Sequence, residues 1–237
     1  MIMNIGIFTG GKHAPYKIIK QCLKRKKLDY LIAADSGLET VDALSLEPNC
    51  ILGDFDSLKK RALLKKYRHI PTVQFPCDKD FTDTELAVQQ AFKILDAQNQ
   101  KCETENDIII FGAGGAKRLD HLLYFLRIFS AERTPSVWLF NSGAAFCISA
   151  EGKNRLNIKL PPGTIVSSFH IPILGRLQDV AVPTAKILSD GLHWPLNALD
   201  WSKQASVSNR NDKEIIHLEA LEGRFLILIH GHKFRTL

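Results

Sequence analysis

Between residues 4 and 140, short apolar runs alternate with segments of helical period, and this alternation constrains the fold more than any other feature of the sequence. The runs are Asn4 to Phe8, Tyr30 to Ala34, Ile51 to Leu52, Val73 to Phe75, Ile108 to Phe111 and Val137 to Phe140, several of them ending in Gly, Asp or Asn. From Thr84, the apolar residues Val88, Ala91, Phe92 and Leu95 fall at i, i+3, i+4 and i+7, and Leu122, Phe125, Leu126 and Phe129 repeat the spacing. Strand alternating with helix predicts a Rossmann-like α/β layer with a mainly parallel sheet. In such sheets ligands sit beyond the strand ends, and polar residues of this chain collect there.

After about Asn141 the texture changes. Pro161-Pro162-Gly163, Pro172, Gly175, Pro183, Gly191 and Pro195 punctuate short stretches such as Thr164 to Phe169 and Arg224 to Ile229. Little helical periodicity remains, which predicts a small antiparallel β domain. The expected layout is an α/β domain over residues 1–145 and a β domain over 146–237. A hydrophobic fraction of 45% with mixed charge argues against disorder.

The chain carries no apolar run of membrane-spanning length, and Met1-Ile2-Met3-Asn4 leads into the first strand without a secretory pattern, so a cytoplasmic protein is expected. Its five cysteines, Cys22, Cys50, Cys77, Cys102 and Cys147, are scattered and include no C-x-x-C pair, so reduced thiols are expected rather than a disulfide framework or a zinc ribbon. The net charge of +6 is diluted along the chain. Its one dense run, Lys24-Arg25-Lys26-Lys27, reads as a solvated helix end. A basic balance alone leaves a nucleic-acid partner a weak alternative, and the acidic clusters have no place in it.

Those clusters follow successive predicted strands: Asp35 in Ala-Asp-Ser-Gly, Asp54 and Asp56 in Gly-Asp-Phe-Asp-Ser, Asp80 and Asp83 in Lys-Asp-Phe-Thr-Asp. If the backbone stays extended, Asp54 and Asp56 share a face and Phe55 turns into the core. Gathered carboxylates repel one another and have raised pKa values unless a cation lies among them. Mg²⁺ suits them, since it takes hard oxygen ligands and commonly bridges carboxylates to phosphates. Each aspartate, taken alone, is also an ordinary turn or cap residue. Thr82 and Glu85 have capping-box spacing, and a capping role is preferred for Glu85.

A second constellation, Gly112-Ala113-Gly114-Gly115-Ala116-Lys117-Arg118-Leu119-Asp120-His121, links a predicted strand to a helix. Glycine loops of this kind let backbone N–H groups approach phosphates, with the field of the helix N-terminus behind them. It is neither a dinucleotide fingerprint nor a Walker A loop. Gly10-Gly11-Lys12 makes a second candidate phosphate-facing turn. On local grounds Asp120 also reads as a plain helix cap and His121 as an ordinary helix residue.

Gly-Asp-Phe-Asp-Ser at 53–57, Lys79-Asp80-x-Thr82-Asp83-x-Glu85-Leu86-Ala87 and Arg118-x-Asp120-His121 resemble, in order and spacing, the thiamine pyrophosphokinase family. Ala34-Asp35-x-Gly37 precedes them, and Gly191-Leu192-x-Trp194-x-Leu196 and Ser208-Asn209 follow, so the resemblance spans nearly the whole chain. It implies an ATP-binding α/β domain and a β-sandwich, assembled as a homodimer with thiamine bound between subunits. It further implies Asp35, Asp54, Asp56 and Asp83 as magnesium and phosphate-site carboxylates, with Lys79, Arg118 and Asp120 beside them in catalysis. Gly10, Gly11, Ser57, Thr82, Gly114, Gly115 and His121 would line the nucleotide. Trp194 would stack on thiamine, with Ser208 and Asn209 as polar contacts; an indole face is in any case a sound partner for a cationic heteroaromatic ring.

Two departures stand out: Ser36 where the family commonly has Gly, and Ala116-Lys117 where it places Gly-Gly before Arg-x-Asp-His. The reaction implied is in-line attack of the thiamine hydroxyl on the β-phosphorus of Mg·ATP with AMP leaving, aided by positioning and electrostatics, and with Asp56 or Asp120 taking the hydroxyl proton. A kinase for another small hydroxylated cation and a nucleotide sensor without turnover are the alternatives.

Overall fold

The computed structural model describes residues 3–78, 80–98, 107–115, 119–174 and 184–234. The chain divides into two compact units, residues 1–119 with 138–141, and residues 120–137 with 142–237.

In the first unit the order is β1 (Asn4–Phe8), α1 (Tyr16–Arg25), β2 (Tyr30–Ala34), α2 (Gly37–Ala43), β3 (Cys50–Gly53), α3 (Ala62–Lys66), β4 (Thr72–Gln74), α4 (Asp83–Ala97) and β5 (Asp107–Phe111). Helix α5 (Leu119–Ser130), which belongs to the second unit from Asp120 on, comes next in sequence, and β6 (Val137–Phe140) then returns to the sheet. Its strands lie in the order β6-β5-β1-β2-β3-β4. The β1–β2, β1–β5, β2–β3 and β3–β4 pairs are all parallel. Strands β1 and β5 read as near-continuous apolar runs because both of their faces are covered: Ile5, Ile7, Ile109 and Ile110 are buried, and Phe8 stacks on Phe111. The sheet grows one way from β1 through β2 to β4, then the chain crosses back to place β5 on the other side of β1. The gap beyond the carboxyl ends of β1 and β5 is therefore the topological switch point.

Two sequence expectations change in detail. Strand β4 is exposed along its length, Val73 included, as befits an edge strand. The basic run at the end of α1 is not wholly solvated, since Lys26 pairs with the buried Asp107 and ties α1 to the start of β5.

The second unit is β-rich. It contains β7 (Gly143–Ser149), β8 (Arg155–Lys159), β9 (Ile165–His170), β10 (Lys186–Asp190), a 3-10 turn (Leu196–Ala198), β11 (Ser206–Arg210), β12 (Ile215–Glu222) and β13 (Arg224–His230). Strands β11-β9-β13-β7 form one antiparallel array and β10-β12-β8 a second antiparallel sheet. Alternation decides what is buried: Leu156 and Ile158 on β8, and Ile216, Leu218 and Ala220 on β12, point inward from one face. The buried Arg224 donates to the carbonyls of Phe129, Ala131 and Glu132, satisfying orphan acceptors at the carboxyl end of α5 and placing a cation where the helix dipole favours one.

Candidate active site

The acidic clusters converge. Asp35 follows β2, and Asp54 and Asp56 follow β3; one carboxylate oxygen from each lies within 4.8 Å of the others. The backbone achieves this without the extended Asp-Phe-Asp segment expected from sequence. Phe55 is left-handed at φ 62°, which buries its ring and folds Asp56 back, so that the Asp56 amide donates to Asp54 Oδ1 at 3.2 Å. Asp35 is itself left-handed at φ 47°, with its amide donating to the Leu52 carbonyl. Gly53, at φ 142°, lies against Asp35, and a Cβ there would stand 3.2 Å from the Asp35 backbone.

A side-chain relay supports the trio. The Ser57 hydroxyl lies against Asp35 Oδ2 and 2.8 Å from Ser36 Oγ. One hydroxyl proton serves one acceptor, so Ser57 donates to the carboxylate and accepts from Ser36. Ser36, which sequence reasoning noticed only as a departure from a pattern, thus orients Asp35 through Ser57. Asp35 is 8% exposed, and its other oxygen, Oδ1, is buried without a hydrogen-bond partner among the described residues. Loss of water contact, and then the charges of Asp54 and Asp35, hold the Asp56 carboxyl above the usual carboxylate range, with the Ser57 amide pulling the other way.

The glycine turns meet at the switch point. Thr9 donates to Phe111 O at 2.9 Å, Ala113 to Gly10 O at 2.7 Å, Lys12 to Gly114 O at 2.7 Å and Gly114 back to Lys12 O at 2.9 Å. The Gly114 amide is therefore committed within the chain and does not face outward as a phosphate donor. Its glycine is required by packing, because a Cβ at 114 would stand 2.1 Å from Asn141 Oδ1. Gly10 lies on the opposite side of the same turn, against Ser36, which connects the glycine loops to the carboxylate trio.

Thr82 caps α4, accepting from the Glu85 amide at 3.2 Å, while Thr84 Oγ1 meets Thr9 Oγ1 at 2.6 Å and fixes the helix start to the end of β1. Asp83 stands in the first turn of α4, not within the trio. Lys79 and Arg118 lie outside the described residues, as does the side chain of His121. Asp120 opens α5 in the second unit and is exposed.

In the second unit Trp194 is 54% exposed yet firmly held. Asn209, only 1% exposed, accepts from the Trp194 amide at 3.2 Å and donates to the Trp194 carbonyl at 2.8 Å. Its side-chain amide thus ties down the Trp194 backbone from both sides. The Arg210 guanidinium lies 5.2 Å from the indole centroid, and His193 meets the ring edge-on. Arg210 also meets His193 Nε2 at 3.0 Å, and because arginine only donates, His193 carries its proton on Nδ1 and gives it to Asp212 at 2.9 Å. Ser208 is exposed and left-handed at φ 58°, where β11 slips register against β9. Sequence reasoning missed Arg210 and His193, whose roles depend on a cross-strand approach to Trp194 that no local spacing announces.

A mostly parallel sheet with a carboxylate trio and paired glycine turns beyond its strand ends defines a class, the α/β proteins that hold a charged ligand at the carboxyl ends of their strands. A family model described as "Thiamin pyrophosphokinase, catalytic domain" matches residues 21–139, half of the chain. The chain belongs to the thiamine pyrophosphokinase family, and its reaction is that of the family, transfer of the pyrophosphoryl group of ATP to the hydroxyl of thiamine.

Solved structures share the fold. A thiamin pyrophosphokinase family protein from Enterococcus faecalis superposes with a TM-score of 0.66 at 18% identity, over 96% of this chain and 98% of that one. Thiamin pyrophosphokinase from Geobacillus thermodenitrificans gives 0.65 at 21% identity over 97% and 98%. The yeast enzyme gives 0.64 at 15% identity over 97% and 87%. A search of curated protein sequences returns no match.

Proposed function

We propose that Asp35, Asp54 and Asp56 hold the Mg²⁺ that accompanies ATP in this transfer. The observation carrying this reading is the convergence of three carboxylates, one of which, Asp35, has a buried oxygen with no hydrogen-bond partner among the described residues. The donor set fits the ion: hard oxygens, a partly open site, and mutual repulsion that a cation would relieve. When bound, the ion would supply charge neutralisation between the phosphates and the trio.

The chain's own residues supply positioning. The joined turns at Gly10–Lys12 and Gly112–Gly115 seat the phosphates, Gly11 and Gly115 each packing against the opposite turn. Ser57 and Thr82 orient groups around them, the first through Asp35 and the second through the start of α4. Lys79, Arg118, Asp83 and His121 are assigned to the nucleotide by resemblance, and Asp120 or Asp56 takes the hydroxyl proton as attack on the β-phosphorus releases AMP. Trp194 offers its exposed ring to the cationic heterocycle, with Ser208 at its side. The β-rich part, residues 146–237, is taken as a sandwich that binds thiamine between two subunits, and residues 1–145 as the nucleotide domain, in a cytoplasmic homodimer.

The test is a magnesium titration of turnover for Asp35→Asn, Asp54→Asn and Asp56→Asn. We expect a fall in kcat/KM of about a hundredfold or more, with saturation displaced to higher magnesium. Full turnover in all three at every magnesium concentration contradicts the assignment.

A further inference from the structure

We propose that Trp138 is a positioning residue for the nucleotide loop, acting through its indole N–H. Strand β6 lies beside β5, and Trp138 and Phe140 share one of its faces with ring centroids 4.5 Å apart. The Trp138 ring is buried, so its N–H must find an acceptor, and it donates to the Gly112 carbonyl at 2.8 Å. The Gly112 amide in turn donates to the Leu139 carbonyl at 3.1 Å. Strand β6 thus grips the first residue of the loop on both its polar groups.

The residues that follow need such a grip. Gly112 has φ 113°, Ala113 φ 52° and Gly115 φ 115°. A left-handed alanine is strained, and persists only where its surroundings over-determine it. Here those surroundings are β6 on one side and the Gly10–Lys12 turn on the other, which accepts from Ala113 and exchanges two hydrogen bonds with Gly114. The Trp138 bond holds the Gly112 carbonyl at the point where the chain leaves β5, next to the residues that bond the Gly10–Lys12 turn. A tryptophan that looks like one more core aromatic therefore fixes the backbone at the switch point.

The inference rests on the reading that this loop seats the phosphates of ATP. Trp138→Phe keeps an aromatic ring, though a smaller one, and removes the donor, leaving a buried carbonyl unsatisfied. We expect the KM for ATP to rise about two- to tenfold, the worth of one hydrogen bond, with the KM for thiamine unchanged. Amide hydrogen exchange over residues 110–115 should quicken in the free protein. Site-specific replacement of Trp138 by benzothienylalanine, which has the same shape without the N–H, should reproduce both effects if the phenylalanine variant folds poorly.

Unchanged ATP KM and unchanged loop exchange in both variants, with only a lower Tm, would overturn the inference and leave Trp138 a packing residue. A separate outcome concerns the underlying reading. If α,β-methylene-ATP binds wild-type protein without protecting the loop amides, the loop does not seat the nucleotide, and the inference falls with it.

Discussion

Asp56 shows how a single side chain can stand between stability and function. Its carboxyl is held above the ordinary range, so the fold without a cation is favoured by Asp56 at pH below that range and loses the advantage as pH rises through the raised value. Once that advantage is lost, the Asp56 carboxylate works against the metal-free fold. Asp56→Asn should raise the Tm of metal-free protein at pH 7 and shrink the further rise that Mg²⁺ produces in the wild type. Thermal unfolding with and without Mg²⁺ across pH checks both, and an unaltered Mg²⁺ response in the variant would remove Asp56 from the cation site. The thiols divide as simply. Burial pushes Cys22 and Cys147 up to about 11, whereas Cys77 is exposed. Alkylation of native protein at pH 8, followed by peptide mass analysis, should label Cys77 and leave Cys22 and Cys147 unmodified.

At the scale of elements, two helices are anchored at opposite ends by different chemistry. Thr82→Ala should cost about 1 kcal/mol by uncapping α4, and Arg224→Met roughly 1.5–3 kcal/mol by stripping a charged donor from the end of α5, both measured by denaturant unfolding. Much of this layer was legible in the sequence. The strands of the first unit announced themselves as apolar runs, the two longer helices by period and Thr82 by its spacing to Glu85, whereas of the β-rich part only the stretches at β9 and β13 stood out. The Asp-Phe-Asp turn was not legible, because phenylalanine carries no turn signal and its left-handed backbone is imposed by Gly53 and by the burial of its ring. The glycine loop was legible as a loop but not as a bonded one. Its amide partners lie on Gly10 and Lys12, a hundred residues away in sequence and adjacent only once β5 pairs with β1. The bond between Asn209 and the Trp194 backbone was not legible, since it depends on the register of β11.

For the whole molecule, the sheet order explains why the chemistry gathers where it does. The crossover that sets β5 beside β1 makes the switch point, and the turns after β1, β2, β3 and β5 bring their polar residues to the same end of the sheet. No described helix is long and apolar enough to cross a membrane. If thiamine binds between two subunits, specific activity should fall on dilution as the dimer dissociates, and added thiamine should oppose that fall by mass action. Sedimentation of the same dilutions checks the coupling; a monomer retaining full activity would place the thiamine site within one chain.

The central claim is that this chain moves a pyrophosphoryl group in one step. Its most direct test incubates purified protein with Mg·ATP and thiamine and resolves the thiamine phosphates together with AMP and ADP. Thiamine diphosphate and AMP accumulating in equal amounts is the predicted result. Thiamine monophosphate with ADP, or both ligands bound with no product, would contradict it.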